Sequence, residues 1–318
     1  MTEFMQITVG VVTLACVYAL VAFGWNVVYS VTGILNLAQG EFFMLGGIIA
    51  ATNMDRGLPV AVGLGIAGPT VVALLMETAL LRPLAQKGRI FHQIVITLAV
   101  AIFLREATAW QVGPDPFFGP DLINGPPVEL LGAYIPRQAL LVWGVTAALG
   151  ILLWLLFSRT TFGAALRACA EAPEGAAVIG LQINRLRLAA LGLAGLLGGL
   201  AGVLMSALTP VAFNSGTFVG LKGFIAAAIG GLGLLGGAIV GSIFVAALEG
   251  YFAAYVSDVY RDVLVFSSMI AVLLFRPAGL LRSRTGRRRQ RPAKPPHPPS
   301  SPHDEVDAQS ALGAGTGA

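Results

Sequence analysis

Long apolar runs dominate the chain, and their length predicts its elements. A helix needs about 20 mostly apolar residues to cross the hydrocarbon of a bilayer. Six uninterrupted runs satisfy that length: 7–29, 60–81, 91–112, 138–157, 188–208 and 261–281. Two further regions, 33–52 and 218–256, are long enough but interrupted. We therefore predict an all-α, polytopic membrane helical bundle with about eight to nine membrane segments, two of them broken.

Composition supports a membrane protein. The chain is 56% hydrophobic and only 11% charged, whereas soluble domains average about 25% charged residues. Its 40 glycines suit helices that approach closely in lipid, where small residues make the contacts. The long apolar runs do not alternate as the strands of an outer-membrane barrel would. The two cysteines, Cys16 and Cys169, imply no disulfide framework.

The first broken segment lies between Gly24 and Gly47. After Thr32–Gly33 it carries several polar residues in quick succession, then becomes apolar again. Polar side chains at membrane depth are tolerated only where protein or water surrounds them. We therefore expect part of the segment to border a substrate path, with these candidates: Tyr29, Asn36, Gln39, Gly40 and Glu41. In the competing interpretation, Asn36 caps a helix at the break, and Tyr29 and Trp25 anchor a membrane interface.

The second broken segment has six glycines between Ile229 and Gly241, a density that breaks or weakens a helix. Cytoplasmic loops are rich in Lys and Arg, which places loops 82–90 and 159–187 inside and the acidic loop 113–136 outside. The basic C-terminus is then cytoplasmic only if 218–256 forms two segments. We predict 218–229 and 235–256, the first being a partial crossing inside the bundle.

Five charged residues lie in or at the ends of apolar segments: Glu41, Glu77, Arg105, Glu106 and Glu249. Each costs about 2.5–3.5 kcal/mol to insert, so each needs a partner or water. Neighbouring residues are about 100° apart on a helix, so we expect Arg105 and Glu106 to pair with different helices. Glu106 is a further candidate for the substrate path, and a structural ion pair or hydrogen bond is the alternative.

The loop from Arg159 to Arg187 is far longer than a connector requires. It is amphipathic and rich in helix-forming residues, with Pro173 near its middle. We predict two short surface helices that contact a cytoplasmic partner, with these candidate contacts: Arg167, Glu171, Glu174, Gly175 and Gly180. The alternative is a solvated or interfacial helix without a partner.

The C-terminal residues differ in composition from the rest of the chain. Residues 282–318 contain seven basic and three acidic residues, which account for the whole net charge of +4. We predict a transmembrane permease domain, 1–281, and a basic, Pro/Ser/Gly-rich, disordered cytoplasmic tail, 282–318. A basic flank after a membrane span is typical of cytoplasmic retention, so nucleic acid is not expected as a partner.

The motifs of an enzyme are missing from the sequence. None of the three lysines stands in a phosphate-binding G-x-x-x-x-G-K-[ST] loop, and the three histidines form no metal-ligand pattern. No nucleophile motif is present either. We therefore expect a protein that is not an enzyme and that carries neither metal nor cofactor.

Four motifs cover most of residues 18–281 in order. These are GWNVVYSVTGILNLAQGEFFMLGG, then TTFGAALRACAEAPEGAAVIGLQINRLRLAALGLAGLLGGLAGVL, then KGFIAAAIGGLGLLGGAIVGSIFVAALEG, and finally LLFRPAGLL. In this combination the chain resembles branched-chain amino-acid ABC transporter permeases of the LivH type. It departs from them at Gln39, where such permeases commonly have His. Gln cannot gain a positive charge, so protonation at this position is excluded from the mechanism.

The resemblance implies a multi-pass protein of the bacterial inner membrane that moves branched-chain or related hydrophobic amino acids. It also implies the partners: two ATP-binding subunits, a second homologous permease subunit and a periplasmic solute-binding protein. Permeases of this type also serve urea and short amides, which stay open as substrates. A self-sufficient secondary transporter or channel and an intramembrane enzyme are competing classes. The loop 159–187 argues against the former, and the absent catalytic motifs argue against the latter.

Overall fold

The structure is a computed structural model. It describes residues 2–85, 90–123, 125–130, 132–171, 175–176, 180–276 and 279–280. The predicted tail, 282–318, lies outside the described residues, and its disorder and location stay predictions.

The described residues form an almost entirely helical bundle, which confirms the predicted all-α class. The helices are α1 Thr2–Thr32, α2 Gln39–Thr52, α3 Leu58–Ala85, α4 Ile90–Val112, α5 Arg137–Arg159, α6 Thr161–Glu171, α7 Ile183–Ser206, α8 Ser215–Gly230, α9 Leu235–Tyr255 and α10 Arg261–Phe275. A 3₁₀ turn, Met54–Arg56, precedes α3. One antiparallel hairpin, β1 Val128–Leu130 and β2 Ala133–Ile135, pairs Glu129 with Tyr134.

Six of these helices are long and apolar enough to cross a membrane: α1, α3, α4, α5, α7 and α9. Five of them correspond to the predicted uninterrupted spans, and α9 is the longer half of the second broken segment. The predicted span 261–281 differs, because α10 has only 15 residues and ends at Phe275. The next residue, Arg276, precedes a proline, a position that disfavours helical backbone.

Helix α1 forms the centre of the bundle. Every residue from Val17 to Val28 is buried, as expected for a helix that is apolar on all sides. Helices α7, α8 and α9 pack around α1. In contrast, α4 and α5 expose large apolar side chains such as Phe103, Trp110 and Trp154, which suits contact with lipid.

The first broken segment is a non-helical interruption between α1 and α2. Helix α1 ends at Thr32, and Gly33 follows with φ of +68°. Residues 33–38 are non-helical, and α2 then begins with Gln39, whose amide group lies against Gly24. Since a helix rises 1.5 Å per residue, the Gln39 amide lies beside α1 about 12 Å before the end of that helix. The predicted interruption is present, and the helix after it is shorter than 33–52.

The second broken segment forms two antiparallel helices, α8 and α9, close to the predicted 218–229 and 235–256. Gly231 and Gly233 have φ of +110° and +83°, backbone angles that other residues rarely adopt. Buried Asn26 of α1 stabilises the turn between α8 and α9. Its Oδ1 accepts a hydrogen bond from Gly233 N at 2.9 Å, and the Asn26 Nδ2 donates to Leu234 O at 3.0 Å. Most of α8 is buried from Gly220 onward, as predicted for a segment inside the bundle.

The two long loops lie at opposite ends of α1. At the N-terminal end, the Gln6 side chain donates to Tyr134 O at 3.1 Å and accepts from Tyr134 N at 3.0 Å. At the C-terminal end, Leu166 and Cys169 of α6 pack in one apolar cluster with Val31. This arrangement agrees with the expectation that loops 113–136 and 159–187 face opposite sides of the membrane.

Candidate functional site

Helices α2 and α8, one from each broken segment, cross at three glycines. A Cβ atom on Gly40 would collide with Gly216 O and would lie 2.7 Å from Gly220 Cα. Gly40 therefore lies against both glycines, while Met44, one turn further along α2, reaches Gly216. The first turns of α2 and α8 thus overlap in antiparallel orientation. Only residues without a side chain allow backbones to approach this closely.

Glu41 lies at this crossing and is only 3% exposed. Its Oε1 accepts a hydrogen bond from Thr217 Oγ1 of α8 at 3.0 Å. Its Oε2 has no hydrogen-bond partner among the described residues, and a Cβ atom on Gly216 would lie 2.6 Å from it. The glycine at position 216 thus leaves room for the carboxylate. The N-terminus of a helix carries a partial positive charge, which favours a carboxylate at the first turn of α8.

Gln39 is fully buried on another side of α2. Its Nε2 donates to Ala194 O of α7 at 3.1 Å, and its amide lies close to Gly24 and Gly198. Two residues along a helix correspond to a rotation of about 200°, so Gln39 faces α1 and α7 while Glu41 faces α8. The structure therefore does not bring these two candidates into one cavity.

Asn36 and Tyr29 lie on the non-helical approach to α2 and at the end of α1. Asn36 is 2% exposed, and its Oδ1 accepts from Ala38 N at 3.2 Å, a local turn that Asn commonly forms. Tyr29 is half-buried. Trp25 is buried and donates from Nε1 to Gly220 O at 3.2 Å. The alternative that Trp25 anchors a membrane interface is therefore wrong.

Glu106 lies apart from these candidates. Its side chain is 60% exposed, and its Oε1 accepts from Nε of the preceding residue, Arg105, at 3.1 Å. The expectation that these two residues pair with different helices is therefore wrong. Both side chains are long enough to bend toward each other, although their Cα–Cβ bonds diverge. The role of Glu106 in the path stays a prediction.

A buried charge network ties α8 to its neighbours, and the sequence analysis did not identify it. Lys222 Nζ lies 2.6 Å from Glu249 Oε1 of α9 and 2.8 Å from Asp262 Oδ1 of α10. The other oxygen of Glu249 accepts from the Tyr18 hydroxyl of α1 at 2.7 Å. Glu249 was expected to need a partner, but the 27-residue separation from Lys222 matches no local spacing rule.

A second buried network joins α3, α4 and α7. Arg187 is 7% exposed and donates from Nε to Glu77 Oε1 at 2.8 Å and from Nη2 to Gln93 Oε1 at 2.9 Å. Glu77 belongs to the π-helical segment Met76–Leu81 of α3, a deviation that often accompanies function. Glu77 was expected to need a partner, and that partner is Arg187. The charge pattern of the sequence had assigned Arg187 to the cytoplasmic loop.

The loop 159–187, predicted to contact a cytoplasmic partner, contains α6, which packs on the end of α1. Leu166 and Cys169 are buried, while Arg167 between them is exposed. Gly175 is exposed, and Gly180 has φ of +81° with open space around the position of a Cβ atom. The side chain of Glu171 and all of Glu174 lie outside the described residues. The first predicted surface helix is therefore present, and its contact with a cytoplasmic partner stays a prediction.

The described residues place several polar side chains inside the bundle near the start of α2, among them Asn36, Gln39 and Glu41. In the parts of the chain that the structure covers, no three His, Cys, Asp or Glu side chains could hold a metal ion together. Instead, buried amide and carboxylate groups line the interruption between α1 and α2. Such groups can form and exchange hydrogen bonds with a polar solute.

Comparison with known proteins supplies the family. A family model for the branched-chain amino acid transport system permease component matches residues 7–273. The high-affinity branched-chain amino acid transport system permease protein LivH of Escherichia coli K12 is 33% identical over 298 residues, covering 87% of this chain and 95% of that protein. BraD of Pseudomonas aeruginosa, a permease protein for the same kind of system, is 29% identical and is covered to 96%.

A shorter similarity extends beyond amino-acid transport. The fructose import permease protein FrcC of Rhizobium meliloti is 32% identical over 121 residues, which represent 36% of this chain and 34% of that protein. No solved structure matches the chain.

Proposed function

This chain belongs to the family of branched-chain amino acid transport system permease components, and from that premise we propose that it is the membrane-spanning subunit of an ATP-driven importer. Its substrates are branched-chain or related hydrophobic amino acids, and its location is the bacterial inner membrane. The observation that carries the proposal is the near-complete alignment with LivH, which covers 95% of that protein. The matched residues include both broken segments and the loop between α5 and α7.

Energy for import comes from other chains in this proposal. The sequence has no phosphate-binding loop around its three lysines, so two separate ATP-binding subunits hydrolyse ATP. A second homologous permease subunit completes the membrane channel, and a periplasmic solute-binding protein delivers the substrate. The end of the bundle that carries α6 is cytoplasmic in this proposal, since the loop 159–187 is rich in Arg.

The surface around α6 is the docking site for an ATP-binding subunit. Arg167, Gly175 and Gly180 are exposed there, whereas the apolar face of α6 packs on Val31 at the end of α1. Asn26, one to two turns earlier in α1, holds the turn between α8 and α9. Movement of α6 would therefore reach both broken segments through α1. Closely packed interfaces respond to such movement by switching between discrete arrangements.

The substrate crosses the bundle where α2 and α8 meet. In this structure the glycine crossing closes that position, and the buried polar groups of Asn36, Gln39 and Glu41 lie on or next to α2. Import requires α2 and α8 to separate, which gives the substrate access to Glu41. Gln39 faces α1 and α7 and becomes accessible only if α2 also moves away from those helices. A ligand or subunit can drive that change only by binding one arrangement more tightly than the other.

Reconstitution of the complete importer in proteoliposomes tests the proposal. ATP-dependent uptake of labelled L-leucine is expected with all subunits present, and no uptake is expected without the ATP-binding subunits. Uptake without those subunits would instead identify a secondary transporter or channel. Preference for urea over leucine would identify a permease for small amides.

Two variants test the docking surface. Gly175→Trp is expected to leave the protein inserted while ATP hydrolysis becomes uncoupled from uptake, because the indole obstructs the contact. Gly63→Trp is the matched control, since Gly63 is exposed on α3 with open space around it. Equal leucine uptake in both variants would contradict docking at α6.

A further inference from the structure

The crossing of α2 and α8 concentrates positive partial charge at one place. Each helix begins there, and the first turn of a helix leaves backbone N–H groups without intrahelical acceptors. The side chain of the α8 N-cap residue, Asn214, makes no capping hydrogen bond within the described structure. Glu41 is the anionic group at this position, and it touches α8 at Thr217 and Gly216. The arrangement of the two helices thus favours a carboxylate at position 41.

No cation of the described chain forms an ion pair with Glu41, and Arg105 acts on its carboxylate only at longer range. Two buried cations of the described bundle are engaged with other carboxylates: Lys222 with Glu249 and Asp262, and Arg187 with Glu77. Arg105 of the neighbouring α4 pairs with Glu106. In the described chain no ion pair involves Glu41, and its Oε2 accepts no hydrogen bond. A buried carboxylate in this condition is costly unless another group binds it.

We propose that Glu41 is a specificity-determining residue that binds the ammonium group of the amino acid as it passes between α2 and α8. This inference rests on the proposed function. An ammonium group supplies three N–H donors and a positive charge, and it therefore satisfies the open oxygen of Glu41. Charge-assisted hydrogen bonds of this kind are roughly twice as strong as neutral ones.

The same geometry predicts discrimination against neutral solutes. A sugar or urea donates hydrogen bonds but leaves the charge of Glu41 uncompensated at a site with little water. Specificity commonly arises from such an unpaired charge facing the wrong ligand. The glycine crossing keeps the site closed until the helices separate, because Gly40, Gly216 and Gly220 fill the space beside the carboxylate. Separation of the two helices then gives the substrate access to the carboxylate.

The test uses the complete importer in proteoliposomes, with its binding protein saturated with L-leucine. Glu41→Gln keeps the shape of the side chain and the acceptor for Thr217 but removes the charge. It is expected to lower the maximal rate of leucine uptake at least about tenfold, the loss that follows removal of one charge-assisted hydrogen bond. The concentration of loaded binding protein that gives half-maximal uptake should not change, because Glu41 is only 3% exposed and so is not available for contact with that protein.

Two comparisons separate recognition from packing. Glu41→Asp keeps the charge on a shorter side chain, so recognition predicts higher uptake per folded complex than for Glu41→Gln. A packing role predicts the reverse order, since Gln has the size of Glu and removes an unpaired buried charge. Glu3→Gln makes the same chemical change at an exposed position near the chain start and should leave uptake unchanged.

The outcomes also separate this inference from the proposed function. Suppose that the wild-type importer takes up leucine. Full uptake by Glu41→Gln would then overturn only the role of Glu41. Uptake by Glu41→Gln that equals or exceeds uptake by Glu41→Asp would do the same. Absence of leucine uptake by the wild-type importer would overturn the proposed function. Reduced uptake by Glu41→Gln with an unchanged melting temperature and partial recovery in Glu41→Asp would support the inference.

Discussion

Replacement of Lys222 by Met should destabilise the bundle strongly. Methionine preserves the length of the side chain but removes the charge that lies 2.6 Å from Glu249 Oε1 and 2.8 Å from Asp262 Oδ1. Glu249 then remains buried, with its side chain only 6% exposed. The closest remaining cation is Arg261, whose Nε is 3.8 Å away. The hydroxyl of Tyr18 still donates to the other carboxylate oxygen.

The expected size of the effect follows from these contacts. Removal of one partner from a buried ion pair typically costs about 3–5 kcal/mol, because the other charge stays buried and unpaired. Retained contacts from Tyr18 and Arg261 place Lys222→Met near the lower end, at about 3 kcal/mol. Asp262 adds little, since its side chain is 38% exposed and water screens its charge. The double variant Lys222→Met/Glu249→Leu should recover most of the loss, because apolar replacement of a whole buried pair is often neutral.

The assay is unfolding of the purified protein in mixed micelles titrated with dodecyl sulfate and followed by tryptophan fluorescence. Arg105→Met provides the matched control, because its partner Glu106 is 60% exposed and such pairs contribute about 0–1 kcal/mol. The two single variants and the double variant at 222 and 249 complete a thermodynamic cycle. The reasoning is refuted if Lys222→Met is no less stable than Arg105→Met, or if the double variant is as unstable as the sum of the single ones.

Three further outcomes are expected. Gly40→Ala should lower the free energy of unfolding by about 1–3 kcal/mol through overpacking, measured in the same titration. Gly10→Ala should be nearly neutral, because a Cβ atom there meets nothing within 4 Å. Equal effects of the two substitutions would contradict the glycine crossing. Gln39→Leu should slow leucine uptake in proteoliposomes without unfolding the bundle. A single cysteine in place of Asn36, in a background without other cysteines, should react with a water-soluble thiol reagent. The rate of that reaction should change when nucleotide is trapped on the ATP-binding subunits. An unreactive cysteine in every state would favour the turn-forming role of Asn36. Truncation after Arg282 should retain uptake, and loss of uptake at normal membrane levels would show that the tail contributes.

Several features of the fold were predictable because they depend on neighbouring residues. The length of an apolar run decides whether a helix can cross the hydrocarbon, and five predicted spans correspond to helices of that length. The split of 218–256 followed from glycine density and from the basic residues near the C-terminus. The burial of Gln39 and Glu41 was also predictable, since a polar side chain inside an apolar segment requires protein or water around it.

Other features depended on which helices meet, and local patterns do not carry that information. The opposite directions of Gln39 and Glu41 follow from helical rotation once α2 is known to begin at position 39. Nothing in the spacing of the charged residues indicated that Arg105 would turn to its own neighbour Glu106. Likewise, the order of residues did not reveal that Asn26 would hold the turn between α8 and α9.

A helical membrane bundle with two interruptions and a resemblance to importer permeases could both be predicted from the amino-acid sequence. These properties depend on composition, on the length of apolar runs and on contiguous motifs, all of which are local along the chain. Only the tertiary structure decided that Gly40 meets Gly216 and Gly220, that Glu41 lies at the start of α8, and that Lys222 pairs with Glu249. The physical reason is that buried polar groups must find partners in three dimensions, and the packing of whole helices selects those partners.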